Sequence, residues 1–158
     1  MAGRVSFRPA VKSRVPLLIG LVGPSGSGKT MSALLLATGI QSVVGGEILG
    51  IDTESRRMLH YAKRLKFQHA EFRAPFSSLD YLEAIKDGMS LGGPGPRTII
   101  VDSMSHEHEG EGGYLEQHEA GLVERIARAR ERGNSEPDWK LRERYNFSAW
   151  IEPAGKRQ

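Results

Sequence analysis

At 158 residues, with 39% hydrophobic and 26% charged side chains, the chain has the balance of one globular domain. No apolar run is long enough to cross a membrane, the start MAGRVSFRPAVKSR lacks the apolar core of a secretory signal, and there is no Cys. Disulfide scaffolds, thiolate metal sites and thiol nucleophiles are excluded, and a net charge of +3 is too small to announce a nucleic-acid binder.

The charge distribution says more than its sum. The first fifteen residues carry Arg4, Arg8, Lys12 and Arg14 with no acid, and the reading separates a basic arm over 1–14 from a folded domain over 15–158. From Arg56 to Arg73 six basic residues face Glu71 alone, whereas Asp102 to Glu119 holds six acids and no Lys or Arg. A solvated surface is the default account of each basic stretch.

The elements alternate. Val15 to Val22 (VPLLIGLV) is apolar throughout, the pattern of a strand buried on both faces of a parallel sheet. After a glycine loop, Met31, Leu34, Leu35, Thr38 and Ile40 keep helical spacing until Gly45-Gly46. A second strand, Glu47 to Ile51, runs into Asp52, and Met58, Leu59, Tyr61, Ala62 and Leu65 read as an amphipathic helix. Phe67 to Phe72 is a weaker third strand. Ser77, with Asp80 three residues on, marks a helix start, and the cluster Gly92 to Pro96 closes that helix. Arg97 to Val101 is a fourth strand delivering Asp102 at its carboxyl end, and Tyr114 to Arg132 reads as helical, with no fifth strand after it. Such alternation predicts an α/β fold, a three-layer parallel sheet with flanking helices whose ligands bind outside the carboxyl ends of the strands.

The loop between the first strand and helix is GPSGSGKT, matching G-x-x-x-x-G-K-[ST] at every fixed position. Gly23, Gly26 and Gly28 permit the backbone dihedrals that bring main-chain N–H groups against a polyphosphate, with Pro24, Ser25 and Ser27 between them. The helix N-terminus adds its positive end. Lys29 is expected on the β- and γ-phosphates of ATP, and the Thr30 hydroxyl on Mg²⁺. A second acid must organise the metal. Asp102, directly after an apolar strand, has the Walker B form. Hydrolysis also needs a group to orient or deprotonate water. Ser103 follows Asp102, so no adjacent Asp-Glu pair supplies it, and Glu54 in GIDTES, at another strand's carboxyl end, is the other source.

The order GPSGSGKT, ILGIDTESRRMLHYAKRL and TIIVDSMS resembles the core of RecA-type recombinases and their bacteriophage relatives, the RecA-like AAA-family ATPases, over roughly residues 15 to 120. The resemblance implies that Glu54 is the water-activating base and Asp102 the magnesium-coordinating aspartate. It also implies a role in phage DNA recombination or strand annealing, with single-stranded DNA as a partner, a possible homo-oligomer, and a cytoplasmic location in a bacterial or infected cell. RecA-type cores continue past the Walker B strand with further strands, so a shortened relative is expected. Such a relative could bind nucleotide without hydrolysing it; a P-loop kinase acting on a small acceptor is the other alternative.

Other signals carry less. His106, His108 and His118 among Glu107, Glu109 and Glu111 could suggest a metal, but HEHEGEGG has no fixed ligand framework and reads as a mobile polar loop. Leu115, Leu122, Ile126 and Ala129 read as core or subunit contact. Arg125, Arg128, Arg130 and Arg132 read first as a solvated helix face, and as a nucleic-acid contact or arginine finger second. Trp139, Tyr145, Phe147 and Trp150, interleaved with Lys140, Arg142 and Arg144, could stack bases, with packing of a C-terminal helix the default.

Overall fold

The computed structural model describes residues 7–11, 16–91, 93, 95–151 and 153. Their order is α1 (Lys29–Val44), β1 (Glu47–Asp52), a 3₁₀ turn (Arg57–Tyr61), β2 (Gln68–Glu71), α2 (Ser78–Ser90), β3 (Arg97–Asp102), α3 (Ser105–Glu109), α4 (Tyr114–Glu131) and α5 (Asp138–Ala149). The three strands form one parallel sheet in the order β2-β1-β3, with Asp52 opposite Asp102 at the carboxyl end. The protein is α/β.

The central strand explains the layering. Every residue of β1 from Ile48 to Asp52 is buried, as expected where helices cover both faces of a parallel sheet. Alternation sends Ile48 and Gly50 to one face and Leu49 and Ile51 to the other. Ile48 and Ile100 join Leu34 and Ala37 of α1 and Met58 in the main core, while Gly88 of α2 approaches Leu49 and Ile99 on the opposite side. Leu34 and Met58 are fully buried, each stabilising the fold by about 1.5–3 kcal/mol. At Gly50 a Cβ would lie 2.3 Å from Met58 Sδ, so the fully buried Met58 side chain would have to shift to admit one.

Local signals set several boundaries. Ser77 caps α2 in a full capping box, its hydroxyl accepting from the Asp80 amide while the Asp80 carboxylate accepts from the Ser77 amide. The helix stops at Ser90 before the glycine and proline cluster. Downstream, α4 and α5 pair through buried Leu122, Ala129, Leu141 and Ala149, and His118 stacks on Trp150 with ring centroids 3.7 Å apart.

Four expectations need correction. Residues 16–22 form no strand; Leu18 and Val22 are fully exposed, and the segment has no ladder partner among the described residues. An apolar run records affinity for a buried sheet, but a strand also needs a neighbour to accept its backbone bonds. The amphipathic helix over 58–65 is instead the short 3₁₀ turn, because the Asp52 carboxylate takes the Met58 amide and Ser55 and Arg56 adopt positive φ. HEHEGEGG is no loose loop throughout: α3 occupies its start and Glu107 is buried. Of the C-terminal aromatics, Trp139 and Phe147 are exposed, whereas Trp150 packs on His118 and Tyr114 as the default reading expects, alongside buried Leu141 and Ala149. Most of the basic arm over 1–14, and Val15, lie outside the described residues, while 7–11 are exposed and irregular.

Candidate functional site

The glycine loop leads straight into α1. Gly26 and Gly28 have φ of 77° and 84°, left-handed values that L side chains rarely adopt, and Gly28 is the N-cap of the helix. The amides of Gly26, Gly28, Lys29 and Thr30 meet no acceptor among the described residues, so four donors stand free at the positive end of a 16-residue helix. Lys29 folds back over the loop, its Nζ donating to the carbonyls of Gly23 at 2.8 Å and Pro24 at 2.9 Å. The cation therefore lies against the loop that its neighbours' amides line.

Thr30 joins the loop to the sheet. Its Oγ1 donates to Asp102 Oδ2 at 2.6 Å, across 72 residues of sequence. A hydroxyl and a carboxylate side by side at the carboxyl end of β3 are two oxygen ligands of the kind a hard divalent cation takes, and the loop beside them suits an anion. The residues present thus fit a magnesium–polyphosphate pair.

Glu54 lies one strand over. Register aligns Asp52 with Asp102, and Thr53 extends the ladder, its amide donating to the Asp102 carbonyl at 2.8 Å. Glu54 Oε1 accepts from Ser103 Oγ at 3.2 Å and its Oε2 from Arg57 Nη1 at 2.9 Å. Thr30, Asp102, Ser103 and Glu54 therefore form one line of contacts along the sheet's edge. No hydrogen bond or ion pair joins Lys29 to either acid.

Several supporting residues were not legible in the sequence as such. Asp52 is completely buried and accepts from the amides of Glu54 (2.8 Å) and Met58 (2.9 Å), with His69 Nε2 3.1 Å away. Its three partners set the turn from which Glu54 projects. Thr53, also buried, accepts from the Ser103 amide at 2.9 Å and has both the Ser103 carbonyl (3.1 Å) and His106 Nδ1 (2.8 Å) within reach of its single proton. The Tyr81 hydroxyl donates to the same carbonyl at 2.7 Å. Burial raises the Tyr81 pKa to about 12, the nearby charges of Glu107 and Glu54 adding to it, so this group stays a neutral donor. The Asp102–Ser103 peptide is cis. Strand-end acids flagged Asp52's neighbourhood; nothing in local spacing tied Tyr81 or His106, which arrive from α2 and α3, to it.

Among the described residues no helix is long and apolar enough to cross a membrane, and no group of three or more His, Asp or Glu has the arrangement of a metal centre. Comparison with protein-family models, with curated proteins and with solved structures found no match.

Proposed function

We propose that the chain is a P-loop ATPase with a RecA-like core, hydrolysing ATP with Mg²⁺. The observation that carries the reading is the 2.6 Å contact between Thr30 Oγ1 and Asp102 Oδ2, with Glu54 one hydrogen bond away through Ser103. In this reading the loop amides and Lys29 bind and orient the triphosphate, and they stabilise charge on the γ-phosphoryl as it is transferred to water. Thr30 and Asp102 would hold Mg²⁺, which neutralises phosphate charge when bound. Glu54 orients the attacking water and accepts its proton, while Ser103 and Arg57 fix the carboxylate's direction.

The RecA likeness further suggests work on DNA in phage recombination or strand annealing, with single-stranded DNA and other copies of the chain as partners in a cytoplasmic setting. A second reading, nucleotide binding without hydrolysis, is favoured by one observation: residues 16–22 stay outside the three-stranded sheet. Phosphate release by wild type, Lys29→Ala and Glu54→Gln, with and without single-stranded DNA, separates these. Turnover lost in both variants, with ATP still bound by Glu54→Gln, supports the ATPase. ATP affinity without wild-type turnover supports the binding module, and phosphoryl transfer to an added small acceptor without release to water supports a kinase.

A further inference from the structure

Glu54 meets the neighbouring strand tip through one hydroxyl, and that hydroxyl belongs to a residue held from several sides. The Ser103 amide donates to Thr53 Oγ1 at 2.9 Å, the Ser103 carbonyl accepts from the Tyr81 hydroxyl at 2.7 Å, and the Ser103 hydroxyl gives its one proton to Glu54 Oε1 at 3.2 Å. Thr53 is buried, and two acceptors compete for its own proton: the Ser103 carbonyl at 3.1 Å and His106 Nδ1 at 2.8 Å. The carbonyl already receives the Tyr81 proton over a shorter distance, so the imidazole nitrogen is the better acceptor. His106 then carries its own proton on Nε2, a tautomer assigned from the neighbouring donors. Packing fixes the ring: the half-buried His106 lies against Phe76 with centroids 4.9 Å apart, and Phe76 packs in turn on Phe72 at 5.5 Å.

We infer that His106 is a positioning residue for Glu54. By accepting the Thr53 proton at Nδ1, it keeps the Thr53 oxygen lone pairs turned to the Ser103 amide, and the amide so held aims the Ser103 hydroxyl at the carboxylate. The contacts run from α3 through the tip of β1 to the residue after β3 and back to Glu54. No hydrogen bond among the described residues joins His106 to the phosphate loop or to the Thr30–Asp102 pair, so its effect falls on turnover and spares nucleotide affinity. This role rests on the preceding reading for what Glu54 does, whereas the chain of contacts does not.

The test is phosphate release and ATP affinity measured side by side for wild type and substitutions at 106. His106→Phe keeps a ring against Phe76 and removes the acceptor nitrogen. It should lower kcat by roughly tenfold with the ATP Kd within about twofold of wild type, since a positioned base supplies about 10²–10⁴ and here loses one support. His106→Asn, whose side-chain oxygen stands close to the place of Nδ1, should recover most of that kcat. Adding His106→Phe to Thr53→Val should lower kcat no further than Thr53→Val alone, because the link is already cut. His108→Leu, exposed on the same helix, should change little. Nitrogen-15 spectra of the wild-type imidazole read the tautomer without any substitution at 106, and an unprotonated Nδ1 is expected. A proton on Nδ1 overturns the inference. So does an unchanged kcat in His106→Phe, or a joint loss of affinity and turnover that His106→Asn does not restore, and in those cases the ATPase reading stands. A wild type that binds ATP without turnover removes the ATPase reading and this role of His106 together.

Discussion

Ser103 donates its hydroxyl to Glu54 at 3.2 Å while its own peptide follows Asp102, so one residue ties the two acids of the site together. The two strand tips are thus joined by one hydrogen bond and one peptide linkage.

Metal dependence follows from the Thr30–Asp102 contact. Asp102→Asn removes the charge that would attract Mg²⁺ but keeps the shape, and Thr30→Val removes the hydroxyl. Each should raise the Mg²⁺ concentration needed for half-maximal ATP binding by at least about tenfold, which is about 1.4 kcal/mol. Titration of Mg²⁺ at fixed ATP measures it; an unchanged midpoint in both variants removes these residues from the metal site.

Asp52 holds the turn that presents Glu54. Asp52→Ala leaves two amides and His69 without their acceptor inside the protein, and should cost about 3 kcal/mol in urea unfolding. Asp52→Asn, retaining one carbonyl oxygen, should cost less. Equal, small losses for both would show that the turn stands without the carboxylate.

Gly50 leaves room for the Met58 side chain. Gly50→Ala drives a methyl group into Met58 Sδ and should destabilise by about 1–3 kcal/mol. Combining it with Met58→Ala, which vacates that space, should cost clearly less than the sum of the two single changes. Strict additivity in denaturant unfolding would contradict the packing described.

Tyr81 gives the pH dependence. A tyrosine whose pKa rises from 10.0 to about 12 on folding keeps its proton longer when folded. Its contribution is complete below pH 10 and is lost as pH rises from there toward 12. Tyr81→Phe should lower stability at neutral pH by about 1 kcal/mol for the lost bond to Ser103, and should flatten the decline above pH 10. An identical alkaline slope in both proteins would sink this assignment.

How much was legible depended on how local the signal was. The helix start after GPSGSGKT, the helix start at Ser77 and the strand ending in Asp102 are set by neighbours in sequence, and each lies where it is expected, although the strand expected before the loop is not formed. The pairing of 16–22 was not legible, because hydrophobicity says that a segment favours burial without saying whether a strand lies beside it. The turn after β1 misled for a related reason: Met58, Tyr61 and Leu65 do pack on the core at helical spacing, yet the Asp52 carboxylate bends the backbone away from an α-helix. Tyr81, Thr53 and His106 meet only through the sheet's crossovers, so no spacing rule could have grouped them.

The most direct test of the central claim is titration of ATP and Mg²⁺ into wild type and Lys29→Ala by calorimetry. The account predicts saturable binding to wild type that Lys29→Ala weakens by at least about tenfold, the 1.5–3 kcal/mol of one charged hydrogen-bond donor. Equal affinity in the two proteins, or no binding to wild type, would contradict it.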